Sequence, residues 1–408
     1  MIRYLKNKLH LLQAFLACII YSFPGKKMTV IGVTGTDGKT TTTHLIYHVL
    51  VASGKKVSMI STVEAIINGH KYDTGFHVTT PSPFFLQKIM REALNGGSKY
   101  FVLETTSHAL DQYRIFGSSV DIAVFTNINH EHLDYHGSLL KYSEAKAKLL
   151  NGVQTAVLNA DDSSYEFLKK RLKGKIITYG INQPSDINQN KLNLKPKIQG
   201  EYNLYNCLAA ASVGLLFKIT HSEIKKSIAD FTGIAGRLEE IDSEKDYQIF
   251  IDFAHKPNAL NSVLKTLRNK THGRLIVIFG CAGLRDHLKR PMMGEIAAKI
   301  ADLVILTAED PRTEDVRDII EDIASGCLKA EAIELNRNQH DSIKMHHKYF
   351  FRIPDRQEAI NFVIRKLAKS GDIVLIAGKG HEKSMCYGNT EYPWDEKSAI
   401  GKALNGSI

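Results

Sequence analysis

Short apolar runs of strand length alternate with longer amphipathic stretches along most of this chain, and that alternation limits the fold more than any other feature. It is typical of parallel strands connected by helices, so the sequence predicts an α/β protein. Because the alternation stops midway and then resumes, we expect two sheets. The predicted strands of the first sheet span residues 29–33, 56–60, 100–103, 122–125, 154–158 and 175–179. Those of the second span residues 249–251, 274–279, 303–306, 349–352 and 373–377, with helices at 259–268, 292–301, 316–325 and 357–367.

The length of 408 residues allows two or three domains at roughly 150 residues each. Residues 182–197 are rich in Asn, Gln, Lys and Pro and are interpreted as a surface loop, and the Gly-containing stretch 231–236 as a link between domains. We therefore expect an amino-terminal amphipathic helical segment at 1–28, a central domain at 29–235 and a carboxyl-terminal domain at 236–408.

The chain carries a formal net charge of +10, from 53 Lys and Arg against 43 Asp and Glu. This balance favours an anionic partner, whether nucleic acid, anionic lipid or a phosphorylated small molecule, without choosing among them. The five cysteines are scattered and include no CxxC pair, which argues against a disulfide framework or a zinc ribbon. The cytoplasm is the expected compartment.

Three basic residues near the amino terminus precede an apolar run at 9–23 that polar residues interrupt. The run is too short to span a bilayer comfortably, which takes about 20 apolar residues, and it lacks the cleavage site of a signal peptide. We expect a helix that packs its apolar face on the body of the protein. The alternative is a helix at a membrane surface, which Lys26 and Lys27 leave open.

A glycine-rich turn follows the first predicted strand and begins a helical pattern. It reads Gly35-Thr36-Asp37-Gly38-Lys39-Thr40-Thr41-Thr42. A strand, such a turn and a helix N-terminus direct several backbone N–H groups at one place, which is how many proteins bind phosphate. We expect Lys39 to contact the β and γ phosphates and Thr40 the magnesium ion. Val33 stands where the full motif has its first glycine, so this loop is a shorter relative.

Polar groups also follow later strands. Glu104 ends a predicted strand, at the edge where α/β sheets bind ligands, and is well placed to hold magnesium. Further along, three histidines and two carboxylates fall within seven residues: His130, Glu131, His132, Asp134 and His136. By composition alone this second group suits zinc as well, because zinc accepts imidazole and carboxylate ligands.

A series of motifs resembles, in order, those of the Mur ligase family, and within it the branch of UDP-N-acetylmuramoyl-tripeptide synthetases. In the first half the motifs lie at 35–41, 79–81, 104–114, 127–137 and 142–146. In the second half they lie at 236–239, 252–258, 280–286, 289–291, 309–312 and 378–382. The resemblance spans residues 29 to about 395. It implies a central P-loop ATPase domain with a mostly parallel sheet and a carboxyl-terminal Rossmann-like α/β domain.

The resemblance implies an ATP-dependent ligase of peptidoglycan precursor synthesis. In that reaction ATP phosphorylates a substrate carboxylate, and the amine of an amino acid attacks the acyl phosphate to give an amide, ADP and phosphate. The implied catalytic residues are Lys39, Glu104, His132 and Lys146. Of these, Glu104 and His132 would bind magnesium with Thr40, and Lys146, once carbamylated, would bind a second magnesium ion. The implied nucleotide contacts are Gly35, Thr36, Asp37, Gly38, Lys39, Thr40, Thr41, Asn127 at the adenine, Arg237 and Asp252.

The family's substrate residues carry over as well. The muramoyl-peptide would be held by Thr79, Thr80, Thr106, Gln112 and Arg114. The incoming amino acid would be held by Arg290, Glu309, Asp310, Arg312, Gly378 and Glu382. Relatives that add diaminopimelate have Asn where this chain has Asp310, and Asp where it has Leu284. The Asp310 change replaces a neutral donor by an anionic acceptor and could favour an amine, so the amino acid stays open.

Only 28 residues precede the first predicted strand, too few for the UDP-binding domain of this branch. Either the UDP contacts are weak, or a partner protein supplies the surface, or the acceptor is a different carboxylate. A helix at the membrane would make a lipid-linked acceptor conceivable. The alternative functions are a ligase for another carboxylate, as in folylpolyglutamate or cyanophycin synthesis, and a non-catalytic nucleotide-binding module. Nucleic-acid binding is not expected, because the sequence has no aromatic-basic recognition motif.

Overall fold

The computed structural model describes residues 2–72, 80–129, 131–344 and 346–406. The chain divides into two compact units, Met1–Thr232 (unit 1) and Gly233–Ile408 (unit 2). Each unit is built around its own large, mostly parallel sheet. The α/β prediction is therefore confirmed.

Unit 1 contains a nine-stranded sheet flanked by helices. Its helices are α1 (Ile2–Ile20), α2 (Lys39–Ala52), α3 (Pro83–Asn95), α4 (Ser107–Asp111), α5 (Leu133–His136), α6 (Leu139–Ala147), α7 (Tyr165–Lys169), α8 (Gln189–Leu192), α9 (Glu201–Leu216) and α10 (His221–Asp230), with 3₁₀ turns at Pro24–Lys27 and Lys148–Leu150. Its strands are β1 (Thr29–Thr34), β2 (Val57–Ile60), β3 (Ala65–Ile67), β4 (His70–Tyr72), β5 (Tyr100–Glu104), β6 (Val120–Phe125), β7 (Thr155–Asn159), β8 (Lys175–Gly180) and β9 (Ile187–Asn188). The strand order is β4-β3-β2-β5-β1-β6-β7-β8-β9, parallel except where β3 pairs with β2 and β4.

Unit 2 contains a seven-stranded sheet and a small hairpin. Its helices are α11 (Pro257–Arg268), α12 (Lys289–Ile300), α13 (Val316–Lys329), α14 (Arg356–Phe362) and α15 (Glu396–Leu404), with a 3₁₀ helix at Arg337–Ser342 and a π-helical turn at Val363–Leu367. Its strands are β10 (Glu239–Ile241), β11 (Gln248–Asp252), β12 (Leu275–Phe279), β13 (Leu303–Leu306), β14 (Ile333–Glu334), β15 (Tyr349–Arg352), β16 (Ile373–Ala377), β17 (Ser384–Tyr387) and β18 (Thr390–Pro393). The main order is β10-β11-β16-β12-β13-β15-β14, and only the β10–β11 pair among these is antiparallel.

The central strands of both sheets are buried along their length, β5 and β6 having their first residues partly exposed. In β12, β13 and β16 every residue is buried, and in β1 every residue after Thr29. Such near-continuous Val, Ile and Leu runs are what a parallel sheet covered on both faces requires. They hold the strand ends, where the polar motifs lie, in fixed register.

The sequence predicted each long strand to within two residues but missed shorter elements. Residues 182–197 contain β9 and α8 in addition to loop, because Leu192 and Leu194 are buried against the unit. The helix expected at 357–367 changes to a π turn after Phe362, where the Ala368 N–H donates to the Val363 carbonyl at 2.8 Å.

Helix α1 exists as predicted, but it packs through its small residues. Ala14, Ala17 and Cys18 are buried, whereas its large apolar side chains face outward. Within the part of the chain that the structure describes, no helix is both long enough and apolar enough to cross a membrane.

Candidate functional site

The carboxyl ends of three neighbouring strands of unit 1 meet at one edge of the sheet. Val33 of β1 pairs with Glu104 of β5, and Thr34 pairs with Phe125 of β6. The glycine-rich loop, the Glu104 region and the 127–136 segment therefore begin side by side. This is the edge where α/β sheets bind ligands, as the sequence predicted.

The loop 35–38 fits closely against segment 126–127 and helix α9. A Cβ on Gly35 would lie 1.7 Å from Thr126 Oγ1, so only glycine fits there. The Thr36 N–H donates to the Asn127 carbonyl at 2.8 Å, and the Asp37 N–H donates to Asn127 Oδ1 at 2.9 Å. Asn127 Nδ2 donates in turn to the Asp37 carbonyl at 3.2 Å. The side chain of Asn127 thus supports the loop itself, and its predicted adenine contact stays a prediction.

Helix α2 begins at Lys39, directly after the loop. Lys39 Nζ donates to the Thr36 carbonyl at 2.8 Å, which folds the lysine back across the loop. Thr40 is buried and Thr41 half-buried in the first turn of the helix. A loop followed by a helix N-terminus that carries Lys and Thr suits bound phosphate.

Replacing Gly38 by Ala is expected to weaken ATP binding about tenfold, measured as the Kd by titration calorimetry. Gly38 has a φ of +77°, and an added Cβ would lie 2.3 Å from Asn206 Oδ1. Gly54 is the matched control, because it also has a φ of +77° but no described atom would lie within 4 Å of its Cβ. Gly54→Ala should lower thermal stability and leave the Kd unchanged; equal ATP affinity of Gly38→Ala and the native chain would contradict the prediction.

Glu104 is fully buried, and three donors surround its carboxylate. Thr40 Oγ1 donates to Oε1 at 3.0 Å, and Thr62 donates through its N–H to Oε2 at 2.8 Å and through Oγ1 to Oε1 at 2.9 Å. These hydrogen bonds fix the orientation of the carboxylate. Thr40 and Glu104, two of the side chains predicted to bind magnesium, therefore lie in direct contact.

Lys146 approaches the same loop from α6. Its side chain is buried, and Nζ donates to the Gly35 carbonyl at 2.6 Å. Nζ also lies 4.7 Å from the centre of the Tyr142 ring. The Tyr142 hydroxyl is 3.1 Å from Thr36 Oγ1, and burial raises the pKa of this tyrosine. Lys146 and Tyr142 together hold the first half of the loop.

His132 lies near Tyr142, with 6.2 Å between the two ring centres. Its Nε2 is 3.4 Å from Glu131 Oε1, and its ring centre is 4.7 Å from that of His108. His136 is buried, and its Nε2 forms a 3.0 Å hydrogen bond with Ser107 Oγ. This hydrogen bond fixes the start of α4. His130 lies outside the described residues. Within those residues no group of three or more His, Cys, Asp or Glu side chains is arranged to hold a metal ion.

The residues predicted for the acceptor form one connected set, except Thr79, which lies outside the described residues. Thr80 Oγ1 accepts from the Thr106 N–H at 3.3 Å, and Arg114 Nη1 donates to the Thr80 carbonyl at 3.0 Å. Arg114 Nε donates to Gln112 Oε1 at 2.9 Å. Burial lowers the pKa of Arg114, but a guanidinium remains charged at neutral pH. The set therefore presents a cation and several polar groups beside Glu104.

In unit 2, Asp310 and Lys379 form a buried ion pair. Lys379 Nζ donates to Asp310 Oδ1 at 2.9 Å and lies 2.7 Å from Glu382 Oε2. The Cys386 N–H donates to the same Asp310 oxygen at 3.0 Å. Burial works to lower the pKa of Lys379, but the neighbouring carboxylates outweigh it and the pKa is raised. Asp310 and Lys379 therefore both have hydrogen-bond or ion-pair partners within unit 2.

Glu309 differs from Asp310 in having an unbonded oxygen. The residue is buried, and Oε2 has no hydrogen-bond partner among the residues that the structure describes. Gly378 packs directly against it, since a Cβ on that glycine would lie 3.3 Å from Glu309 Cγ. Burial raises the pKa of Glu309, although Lys289 and Lys379 oppose the shift. A buried carboxylate oxygen without a donor is what a cationic ligand would satisfy.

The two arginines predicted to bind the amino acid, Arg290 and Arg312, differ in burial and in hydrogen-bond partners. Arg290 is buried; it donates to Glu314 Oε2 at 2.7 Å and to Asp322 Oδ2 at 2.9 Å. Its guanidinium therefore anchors the surrounding loop. Arg312 is half-buried with a φ of +56°, and its Nη1 donates to the Gly283 carbonyl at 3.2 Å.

Arg237 and Asp252 lie together near the start of unit 2. The Asp252 carboxylate accepts from the N–H groups of Leu238 at 2.6 Å and Ala254 at 2.7 Å. Burial raises its pKa to about 6 even though Arg237 acts in the opposite direction. The Arg237 guanidinium stacks 4.6 Å from the centre of the Phe253 ring.

Sequence reasoning missed Thr62 and Asn206. Thr62 belongs to a turn after β2 and has no local motif, so nothing in the sequence marks it as a partner of Glu104. Asn206 packs on Gly38 from α9, and Thr42 Oγ1 donates to its Oδ1 at 3.1 Å. Asn203 and Asn206, three residues apart after Gly200, are a signal that could have been used.

Comparison with known proteins supports one family. Residues 33–214 match the Mur ligase middle domain, and residues 236–380 match the Mur ligase, glutamate ligase domain. The chain is similar to UDP-N-acetylmuramoyl-L-alanyl-D-glutamate--2,6-diaminopimelate ligase of Geobacillus thermodenitrificans, with 34% identity over 96% of this chain and 82% of the relative. It is 35% identical to UDP-N-acetylmuramyl-tripeptide synthetase of Roseiflexus, over 95% and 81%. A solved structure of a UDP-N-acetylmuramoyl-L-alanyl-D-glutamate--2,6-diaminopimelate ligase has 30% identity and a TM-score of 0.60, over 93% of this chain and 78% of that one.

Proposed function

The chain belongs to the Mur ligase family of ATP-dependent amide ligases, and we propose that it joins a diamino acid, 2,6-diaminopimelate, to the carboxylate of a UDP-N-acetylmuramoyl-dipeptide. The names of the relatives support this acceptor and this amino acid. The observation that carries the choice of a diamino acid is the unbonded oxygen of buried Glu309. ATP would phosphorylate the acceptor carboxylate and release ADP, and the amine would then attack the acyl phosphate and release phosphate as the amide forms.

The surroundings of Glu309 support an amino acid with a second ammonium group. The charged groups that act on Glu309 are Lys289, Lys379, Glu382 and Asp310. Its Oε2 has no hydrogen-bond donor among the described residues, and a buried polar atom without a partner is costly. An ammonium group of the substrate would donate to Glu309 Oε2.

Asp310 does not itself favour an amine in this proposal. Its Oδ1 already accepts from Lys379 and Cys386, so the negative charge introduced at this position is compensated inside the protein. Arg312 would hold a carboxylate of the amino acid, because a guanidinium can bind it through two parallel hydrogen bonds. The second ammonium group that Glu309 would bind is common to diaminopimelate and lysine. Arg312 would distinguish the two by binding the second carboxylate of diaminopimelate, which lysine lacks.

Unit 1 would bind the nucleotide and the acceptor. The family uses magnesium, which when bound neutralises charge on the transferring phosphoryl group. Thr40, Glu104 and His132 would hold one ion, and carbamylated Lys146 a second. Glu104 fits this role because the Thr62 N–H orients its carboxylate, and Gly35 and Gly38 let the loop pack closely on Thr126 and Asn206. Lys39 would then turn toward the β and γ phosphates, and Arg114 toward the acceptor carboxylate.

The domain boundaries belong to the same proposal. Residues 29–235 would form the ATP and acceptor domain, and residues 236–408 the amino-acid domain. The substrates are small molecules, so the cytoplasm is the proposed compartment.

The test is ADP release by the purified chain with magnesium-ATP, UDP-N-acetylmuramoyl-dipeptide and a panel of amino acids. We expect release only when acceptor and 2,6-diaminopimelate are both present. Release with lysine at equal efficiency would contradict the role of Arg312. Release with diaminopimelate and a different carboxylate acceptor, but not with the UDP-linked one, would contradict the proposed acceptor.

A further inference from the structure

Helix α1 is fixed to unit 1 through one face. Ala14, Ala17 and Cys18 are buried, and Cys18 Sγ donates to the Phe116 carbonyl at 3.3 Å. At its start, Asn7 Nδ2 donates to the Asp111 carbonyl at 3.2 Å. At its end, Arg91 Nε donates to the Tyr21 carbonyl at 2.8 Å. The orientation of the helix on the unit is therefore set at three places along its length.

The opposite face of α1 carries a row of exposed apolar residues, here called the apolar stripe. Each member is between 45% and 63% exposed: Leu9, Leu12, Phe15, Leu16, Ile19 and Ile20. They recur every three or four residues and so lie on one side of the helix. Large apolar side chains exposed together in this way mark an interaction surface.

The apolar surface continues onto the body of unit 1. The Phe15 ring lies 6.5 Å from that of Phe116, which is itself partly exposed. Beside Phe116 a cavity of about 460 Å³ opens, lined mainly by apolar side chains that include Phe23, Leu110 and Tyr113. Lys26 also lines this cavity.

The charged residues of the segment that carries the stripe have one sign. The first 36 residues contain no Asp or Glu, and Lys6, Lys8, Lys26 and Lys27 are exposed. Basic side chains beside an apolar face attract anionic lipid headgroups while the apolar residues enter the upper acyl region. A second copy of the chain is a poor occupant, because a two-fold contact would bring the same lysines together.

We propose that α1 docks unit 1 on the surface of an anionic lipid bilayer. The helix lies in the plane of the interface, with the apolar stripe in the lipid and the four lysines at the headgroups. At a rise of about 1.5 Å per residue, its 19 residues offer a contact about 28 Å long. This inference does not depend on the amino acid or the acceptor of the ligase.

The test is co-sedimentation of the full chain with vesicles of phosphatidylcholine alone or with about 30% phosphatidylglycerol. We expect binding to the anionic vesicles, weakened at about 0.5 M salt because headgroup attraction is screened. The double variant Leu12→Glu, Leu16→Glu should bind at least about tenfold more weakly. Leu328→Glu is the matched control, since Leu328 is 50% exposed on α13, and it should bind like the native chain.

Thermal unfolding of each variant shows whether the fold is kept. The Lys26→Gln, Lys27→Gln variant tests the contribution of positive charge and leaves the residues of the apolar stripe unchanged. That variant should also lose about tenfold in affinity. Equal sedimentation with neutral and anionic vesicles, or unchanged binding of the Leu12→Glu, Leu16→Glu variant, would overturn the proposal. So would a dimer that the same variant dissociates in the absence of any vesicle binding, because a second copy would then cover the stripe.

Discussion

Replacing Lys146 by Ala is expected to lower kcat about 1,000-fold while the protein stays folded. Lys146 is buried on α6 with Nζ 2.6 Å from the Gly35 carbonyl, so its terminal group faces the loop predicted to hold phosphate. A carbamate forms when the neutral amine adds to carbon dioxide and releases a proton, which exchanges a cation for a carboxylate at this place. Removal of the side chain would then remove the ligand proposed for the second magnesium ion.

Two further variants separate the carbamate from the lysine cation. Lys146→Arg keeps a cation that can donate to Gly35 but cannot be carbamylated, so it should be as inactive as Lys146→Ala. Lys141→Ala removes an exposed lysine of the same helix and should be fully active. With ¹³C-labelled bicarbonate, the native chain and Lys141→Ala should show a carbamate resonance that both Lys146 variants lack. Activity of Lys146→Arg near the native value would show that the charge, and not the carbamate, matters.

Replacing Glu309 by Gln is expected to raise the KM for the amino acid about 100-fold, with a smaller effect on the KM for ATP. The reason is the loss of the buried negative charge that would pair with the second ammonium group. Because burial raises the pKa of Glu309, the native KM should rise as the pH falls through that raised pKa and the carboxylate is protonated. The KM of the Gln variant should not show this dependence.

Stability distinguishes this role from a structural one. A carboxyl group whose pKa is raised by folding opposes folding more as the pH rises, because the charged form is buried. Glu309→Gln should therefore unfold at the same or a higher temperature than the native chain at neutral pH. Glu358→Gln, at an exposed position on α14, serves as the control and should change neither the KM nor its pH dependence. A lower unfolding temperature together with an unchanged KM would mean that Glu309 only supports the fold.

The parts of the site that could be predicted from the sequence are those formed by residues that follow one another in the chain. The loop 35–42 and Glu104 each follow a buried apolar run, and the register of β1 and β5 then brings Thr40 to Glu104. Contacts between distant segments could not be predicted, because no local pattern encodes them. Thr62 reaches Glu104 from a turn, and Asn206 reaches Gly38 from α9.

The packing of α1 differs from what its sequence pattern predicted. Its amphipathic pattern predicted the helix, and the natural expectation was that the larger apolar residues face the protein. Ala14, Ala17 and Cys18 face it instead, because small side chains let the helix lie close to the chain around Phe116 and Gly117. Amphipathicity indicates that one face is covered, but the burial of each residue shows which face the protein itself covers.

The Asp310–Lys379 pair also limits the order in which this site can evolve. If Lys379 were lost first, Asp310 and Glu382 would both lose their ammonium partner in a buried environment, at a cost that can reach about 3–5 kcal/mol. Loss of the Asp310 charge first leaves Lys379 still paired with Glu382 and should be far milder. In descendants of this chain, changes at position 379 should therefore follow changes at position 310, and the two positions should covary.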